Sequence, residues 1–343
     1  MKVVSEGGLA VVTGAAGGLG SSFANKLAAR GYQLLLVDRR RQPLDELCEA
    51  ITARHGVATE AWVADLCERD EVEKLATRLE QTADAEVLVN NAGFGSIEHF
   101  VDAGAKSLLD MVDIHVAAPM RLTRAMLPRM MERNRGSIIN MASVGAFVQS
   151  TGNVGYGSTK SFLTFFSMTL AQELRGTDIR VQALCPGFVR TAFHDATGMK
   201  GFTTKTIAGR LWMSADEVVE CSLRRLNSKQ VIVVPGLGYS VFARLARMPM
   251  VQPLMRWFTH VPRLPMVPVA VVPAGAMEAA SVTTSVVPSA AISASTITLS
   301  NEPAPGAEAC AVVSLTPNLA AAIEICPEPN FAVAELAESM TAS

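Results

Sequence analysis

Tyr156 and Lys160 stand four residues apart, a spacing that on a helix puts both side chains on one face. A phenol titrates at about pH 10, too high to exchange protons at neutral pH. An ammonium beside it stabilises the phenolate and lowers that value, making the tyrosine a general base for alcohol oxidation. Protonated, the same tyrosine donates to a carbonyl oxygen in reduction. A second chemistry-bearing group lies far upstream, in Thr13-Gly14-Ala15-Ala16-Gly17-Gly18-Leu19-Gly20. Gly14, Gly18 and Gly20 let the backbone turn tightly and approach a pyrophosphate, and a helix opening at Gly18 offers free N–H groups there. Asp38 follows about twenty residues later, where a carboxylate accepts both ribose hydroxyls of NAD and repels the 2′-phosphate of NADP. Arg39, Arg40 and Arg41 come next, and an arginine there can bind that phosphate. The cofactor class is NAD(P), with NAD favoured over NADP.

Such residues need elements to position them. Short apolar runs alternate with helix-length amphipathic segments over the first 235 residues. The expected strands are 9–13, 33–38, 60–64, 86–90, 136–141, 179–184 and 231–234. The expected helices are 18–30, 42–55, 68–82, 105–133, 156–175 and 214–226. Strands alternating with helices imply βαβ units and a parallel sheet. The near-continuous apolar strands imply burial on both faces, since a half-exposed strand would alternate. The fold class is α/β: a doubly wound, mostly parallel seven-stranded Rossmann-like sheet with helices on both faces. It spans 1–240 as a single NAD(P)-binding catalytic domain, followed by an apolar basic segment over 241–263. Residues 264–343 are rich in Ala, Val, Ser, Thr and Pro without a period, and read as a low-complexity, mostly disordered tail. A small packed β-module is the alternative, weakened by prolines in its would-be strands.

Taken together, residues 13–20, Asp65-Leu66, Asn90-Asn91-Ala92-Gly93, Ser143, Tyr156-x-x-x-Lys160 and Pro186-Gly187 resemble the short-chain dehydrogenase/reductase family in order and approximate spacing. The resemblance covers residues 1 to about 240. It implies an oxidoreductase that moves a hydride between NAD(P) and an alcohol or ketone, with Tyr156 as general acid/base. Ser143, thirteen residues before Tyr156, is implied to hydrogen-bond the substrate oxygen, and Lys160 to hold the nicotinamide ribose as well. Leu19 belongs to the pyrophosphate loop. Asn91, Ala92 and Gly93 are implied to lie against the adenosine ribose, and Asp65 with Leu66 beside the adenine. Pro186, Gly187, Val189 and Thr191 are implied to border the nicotinamide carboxamide and the phosphates. One position departs from the pattern. Many members carry an asparagine in the helix before the fifth strand, supporting a water-linked proton path to the lysine, and His115 stands there instead. It is either a proton-relay group or a satisfied structural histidine.

From Gly187 to about residue 215 the chain is glycine-punctuated and carries Phe188, Phe193, Phe202 and Trp212. These side chains favour a hydrophobic secondary alcohol or ketone over a sugar or small hydroxy acid. His194 is either a substrate contact or a surface histidine. Segment 240–260, with Arg244, Arg247, Arg256, Pro249 and Pro253, reads first as packing across the pocket or a subunit interface. Its second reading is peripheral membrane contact through Trp257 and Phe258, and its third is disorder. The expected assembly is a homodimer or homotetramer.

The 343 residues are 49% hydrophobic and 18% charged, ample for a buried core. A net charge of -2 offers no nucleic-acid surface. Every Lys and Arg lies at or before Arg263, leaving 25 acidic against 30 basic residues in 1–263, which suits an anionic dinucleotide. Cysteines 48, 67, 185, 221, 310 and 326 form no CxxC pair. That pattern argues against a zinc site, so no metal is expected, and fits reduced thiols in the cytoplasm. Met1–Gly8 lacks a signal-peptide pattern, and no run of about eighteen apolar residues predicts a spanning helix. The expected location is cytoplasmic, with membrane association as the variant. The rival function is a non-catalytic NAD(P)-binding regulatory protein of the same fold, against which the intact Ser143–Tyr156–Lys160 set argues. An epimerase or dehydratase of the fold's extended branch ranks lower, because the short segment after the sixth strand leaves little room for that branch's substrate domain.

Overall fold

Seven strands form one sheet: β1 Leu9–Thr13, β2 Gln33–Asp38, β3 Thr59–Val63, β4 Ala85–Asn90, β5 Gly136–Met141, β6 Ile179–Leu184 and β7 Ile232–Val233. In this computed structural model the described residues are 7–191, 193, 209–228, 230–248 and 250, together with five short strands beyond residue 271. The sheet order is β3-β2-β1-β4-β5-β6-β7, and every pairing in it is parallel. The order in which successive strands are added reverses between β1 and β4, outward through β2 and β3 on one side and through β5, β6 and β7 on the other. In an open α/β sheet that is where the crevice beyond the carboxyl ends of the strands opens.

Both faces of the sheet are buried, as continuous apolar strands require. On β2, Leu34 and Leu36 face one core with Phe23, Leu27, Leu44 and Ile51. Leu35 and Val37 face the other, with Leu75, Leu79, Leu122 and Met126. The period of two along one strand thus feeds two helical layers. Helices α1 (Gly18–Ala28), α2 (Arg41–His55) and α7 (Ala215–Arg225) supply the first core. Helices α3 (Arg69–Glu80), α5 (Ala118–Glu132) and α6 (Val154–Glu173) supply the second. Each fully buried leucine is worth about 1.5–3 kcal/mol relative to exposure.

The single helix expected over 105–133 is interrupted. Helix α4 (Ala105–Val112) runs into a π turn, Asp113–Ala117, before α5 begins. The Ala118 amide reaches back five residues to the Asp113 carbonyl. Pro119 supplies the reason: it has no N–H, and in an α-helix its ring would meet the carbonyl of His115, four residues back. Widening that turn removes the clash.

Helix α8 (Leu237–Ala246) closes the first compact unit, Met1–Val261, and so lies across residue 240. Residues 262–343 form a second unit. Its described segments are β8 Val272–Pro273, β9 Ser281–Val282, β10 Leu299–Ser300, β11 Val312–Leu315 and β12 Ala320–Cys326. β9 pairs with β10 and β11 with β12, both antiparallel, and β12 with β8 in parallel. No periodicity in the sequence led us to expect these strands, and most are too short for alternation to register. The rest of the expected tail lies outside the described residues.

Candidate active site

The carboxyl ends of β1 and β4 are stapled together by side chains. Asn91 Nδ2 donates to the carbonyls of Thr13 (2.9 Å) and Gly14 (3.1 Å). The amides of Asn91 and Ala92 both donate to Thr13 Oγ1, each at 3.0 Å. Gly14 has a left-handed φ of 62°, and a side chain there would meet Ala92 Cα at 2.9 Å. At Gly20 a Cβ would lie 2.1 Å from the Gly14 carbonyl oxygen. Gly18 lets Thr191 close on the first turn of α1, where a Cβ would come within 2.5 Å of the threonine methyl. Helix α1 starts after Gly17 with no side-chain cap and no acidic residue in its first turn. Its amides are therefore presented to an anion by backbone alone, and this cradle fits a pyrophosphate.

Asp38, buried at the end of β2, accepts from the Ala16 amide (3.1 Å) and from the Arg40 amide (3.0 Å) and Nε (3.1 Å). Arg39 pairs with Asp65 at 3.4 Å. Burial pushes the Asp65 carboxyl up, but hydrogen bonds from Cys67 and Arg39 outweigh it and hold the group below its ordinary range. Two guanidinium groups and two carboxylates thus share the mouth of the cleft where an adenosine ribose would lie.

Ser143 ends the segment after β5 and caps a 3₁₀ turn, Val144–Phe147, by accepting from the Gly145 amide at 3.0 Å. Tyr156 and Lys160 occupy the first turns of α6, and Lys160 Nζ lies 5.6 Å from the Tyr156 ring centroid. Nζ donates to the Met141 carbonyl at 2.8 Å, so the ammonium is anchored to the end of β5. The electrostatics reverse the simple expectation that Lys160 depresses the phenol. Burial pushes Tyr156 up to about 12, with a hydrogen bond from Ser143 pulling the other way. Burial likewise pushes Lys160 down to about 7. In this enclosure desolvation of the charged forms dominates both groups, and a half-neutral lysine has less charge to offer. Cys185, buried at the start of the segment after β6, adds a third titratable group, its thiol pushed up to about 12 by burial.

His115 lies within the π turn and is buried. Thr159 Oγ1 donates to the Tyr156 carbonyl at 3.0 Å and lies 3.0 Å from His115 Nδ1. A hydroxyl has one proton to give. His115 Nδ1–H is therefore the donor in that pair, and Nε2 carries a lone pair. Among the described residues Nε2 has no hydrogen-bond partner. It points at Gly93, where a Cβ would lie 2.3 Å away. Burial, and then the charge of Lys160, holds the imidazole well below its usual range. The ring packs edge-on to Tyr156, centroids 5.9 Å apart.

Of the expected site residues, Gly20 and His115 stand behind the surface. Gly14, Gly18, Leu19, Asp38, Arg39, Asp65, Leu66, Asn91, Ala92, Gly93, Ser143, Tyr156, Lys160, Pro186, Gly187, Val189 and Thr191 line one cleft of about 870 Å³. The substrate side of that cleft is largely apolar. Phe193 lies 6.2 Å from the Tyr156 ring, and Phe188 and Trp212 pack together at 5.4 Å. Phe202 and His194 lie outside the described residues. Sequence reasoning missed Phe94, Ile97, Val148 and Asn153 as lining residues, and it missed Tyr239 and Phe242 on α8. Tyr239 ties that wall together: its hydroxyl accepts from the Phe188 amide (3.1 Å) and donates to the Leu211 carbonyl (2.6 Å). Its ring rests on Gly187, where a Cβ would lie 2.1 Å from it. The one sequence signal for this was an aromatic residue facing a glycine some fifty positions away, which only the fold brings together.

Comparison with known proteins gives one family. A family profile described as short chain dehydrogenase matches residues 8–200. A very-long-chain 3-oxoacyl-CoA reductase from Anas platyrhynchos is 35% identical over 190 residues, covering 54% of this chain and 61% of that protein. This chain thus aligns with less than two thirds of that relative's length. Among solved structures, a short-chain dehydrogenase from Sphingobium yanoikuyae in complex with NADPH is similar at TM-score 0.63 and 30% identity, covering 72% of this chain and 95% of that one. The bulky-bulky ketone specific alcohol dehydrogenase from Comamonas testosteroni gives TM-score 0.62 and 30% identity, covering 72% and 93%.

Proposed function

The chain belongs to the short-chain dehydrogenase family, and from that premise we propose that it reduces a bulky hydrophobic ketone to its secondary alcohol at the expense of a nicotinamide cofactor. The observation that carries this reading is the convergence of Ser143, Tyr156 and Lys160 on one apolar cleft whose other end is the glycine cradle. When bound, the nicotinamide would supply the hydride acceptor or donor. Gly14, Gly18, Leu19 and Gly20 would hold the pyrophosphate, and Asp38 the adenosine ribose. Asp65 and Leu66 would border the adenine, and Asn91, Ala92 and Gly93 the same ribose. Lys160 would hold the nicotinamide ribose, with Pro186, Gly187, Val189 and Thr191 around the carboxamide and phosphates.

Tyr156 acts on the substrate oxygen. In reduction its phenol donates a proton to the carbonyl oxygen while the Ser143 hydroxyl hydrogen-bonds the same atom and stabilises the charge developing there. Held up at about 12, the phenol is protonated in all but about one molecule in a hundred thousand at pH 7. That is the acid form, so neutral pH favours the reductive direction. The apolar walls set by Phe94, Phe188 and Phe193 favour a bulky substrate, in keeping with the relatives that act on ketones and 3-oxoacyl chains.

We read Asp38 as selecting NAD over NADP. A dehydrogenase and reductase screen of hydrophobic alcohols and ketones with both cofactors tests the whole reading. Wild type should show the higher kcat/KM with NAD, and Asp38→Ser should shift that ratio toward NADP by at least about tenfold, or 1.4 kcal/mol. An unchanged ratio would remove Asp38 from the selection. Absence of turnover with either cofactor would favour the non-catalytic, cofactor-binding reading.

His115 supports the relay in this scheme by accepting a hydrogen bond at Nε2 from the water that carries the proton, with no proton taken up by the ring. His115→Ala should lower kcat about tenfold, less than the hundredfold or more lost with a group that itself transfers the proton, and leave KM for the ketone within about twofold. His115→Asn should recover most of the loss. Loss of activity in step with loss of Tm in both variants would make the histidine structural only.

The exposed apolar faces of α4 and α6, including Leu109, Val112, Phe165 and Met168, are where a second copy would pack in the homodimer or homotetramer we expect. Four free cysteines among the described residues suit a reducing compartment such as the cytoplasm.

A further inference from the structure

Helix α8 has two faces with different duties. Gly238, Tyr239 and Phe242 line the cleft, Ala243 packs into the core with Ala142 and Cys185, and Ala246 is buried. On the other side, Leu237 is 87% exposed, Val241 58% and Leu245 46%. Spacings of four and four place these three residues in one stripe about 80° wide at 100° per residue. A contiguous apolar stripe left in water marks a partner surface.

Charge identifies the partner. Between Glu220 and Glu278 the sequence holds seven Lys and Arg and no Asp or Glu. Arg244, exposed, rims the stripe on α8 itself, and Arg247 follows at the end of the helix, its guanidinium 5.4 Å from the Phe147 ring centroid. A second copy meeting this face symmetrically would set guanidinium groups against guanidinium groups. An anionic lipid surface complements both the charge and the apolar stripe. Among the described residues no helix is long and apolar enough to cross a membrane. Ten residues of α8 span about 15 Å, half a hydrocarbon core, so the helix would lie on the surface.

We propose that the outer face of α8 docks on an anionic lipid surface. The mouth of the cleft beside Gly238 and Phe242 is then at the level of the headgroups, and apolar ketones enter from the bilayer. The docking stands on the geometry of α8; the entry of substrate rests on the oxidoreductase reading above.

Sedimentation of the full chain with phosphatidylcholine vesicles, with and without phosphatidylglycerol, tests it. The wild type should bind the vesicles that contain phosphatidylglycerol, less so at high salt. The double variant Val241→Asp/Leu245→Asp should bind at least tenfold more weakly with an unchanged Tm, since both positions face water and neither lines the cleft. With wild type and variant compared, reduction of a bilayer-dissolved ketone should fall with binding, and reduction of a water-soluble ketone should not. Absence of vesicle binding by the wild type, or equal binding by the variant, overturns the proposal. So does a wild-type oligomer that the variant dissociates, which would mean a second copy covers the face. If no ketone is reduced in either form the oxidoreductase reading falls, while the sedimentation still decides the docking.

Discussion

Replacing Tyr156 with phenylalanine should lower ketone reduction by at least about a thousandfold, the range lost with a general acid in direct contact with the reacting oxygen. The ring is partly buried between His115 and Phe193, and phenylalanine preserves that packing, so Tm and NAD(H) binding should hardly move. The change removes a single oxygen, together with its hydrogen bond to Ser143. Turnover therefore reports the chemistry, and fluorescence titration with NADH reports the site. The pH profile of the wild type carries the same information. With the phenol at about 12, alcohol oxidation needs the scarce phenolate and should rise close to tenfold per pH unit above neutrality. Ketone reduction needs the abundant phenol and should stay flat in that range. Undiminished turnover in Tyr156→Phe would move the acid to another group.

Lys160→Met should do two opposite things: abolish turnover and stabilise the fold. Burial holds the lysine at about 7 against an ordinary 10.5. Because the folded value is the lower one, the unfolded chain binds more protons between those two limits, and stability rises with pH across that window. Below about pH 7 the full cost is present, at most ~5 kcal/mol by linkage. Methionine fills similar volume without that cost, although it leaves the Met141 carbonyl without its donor. Chemical denaturation at pH 6.5 should show a gain of at least about 1 kcal/mol that shrinks toward pH 10. A loss of stability at both pH values would mean that the hydrogen bond to Met141 outweighs the desolvation of the charge.

The sheet was legible because its strands are buried on both faces and therefore run as unbroken apolar stretches, with LLLV in β2 the clearest case. The glycine cradle, Asp38 and the Tyr156–Lys160 pair were legible because each couples a local spacing to a local element. Residues that depend on distant parts of the chain were not. Tyr239 gains its meaning from Gly187, Phe188 and Leu211, which no periodicity connects to it. The π turn is forced by Pro119, yet its apolar pattern reads as an ordinary helix from 105 to 133. The pKa values of Tyr156 and Lys160 reverse the expectation drawn from their proximity, because burial is a property of the assembled cleft and not of a four-residue spacing.

The π turn also acts as a phase shifter. One residue added to a helical path rotates everything beyond it by about 100° relative to a regular helix. Upstream, α4 turns Leu109 and Val112 outward; downstream, α5 turns Leu122, Ala125 and Met126 into the sheet. Each half of this rod therefore has its own buried side, Met111 on α4 and Leu122, Ala125 and Met126 on α5, and His115 occupies the step between them. Surface and interior on this rod can change their sequences independently, provided that the extra residue stays.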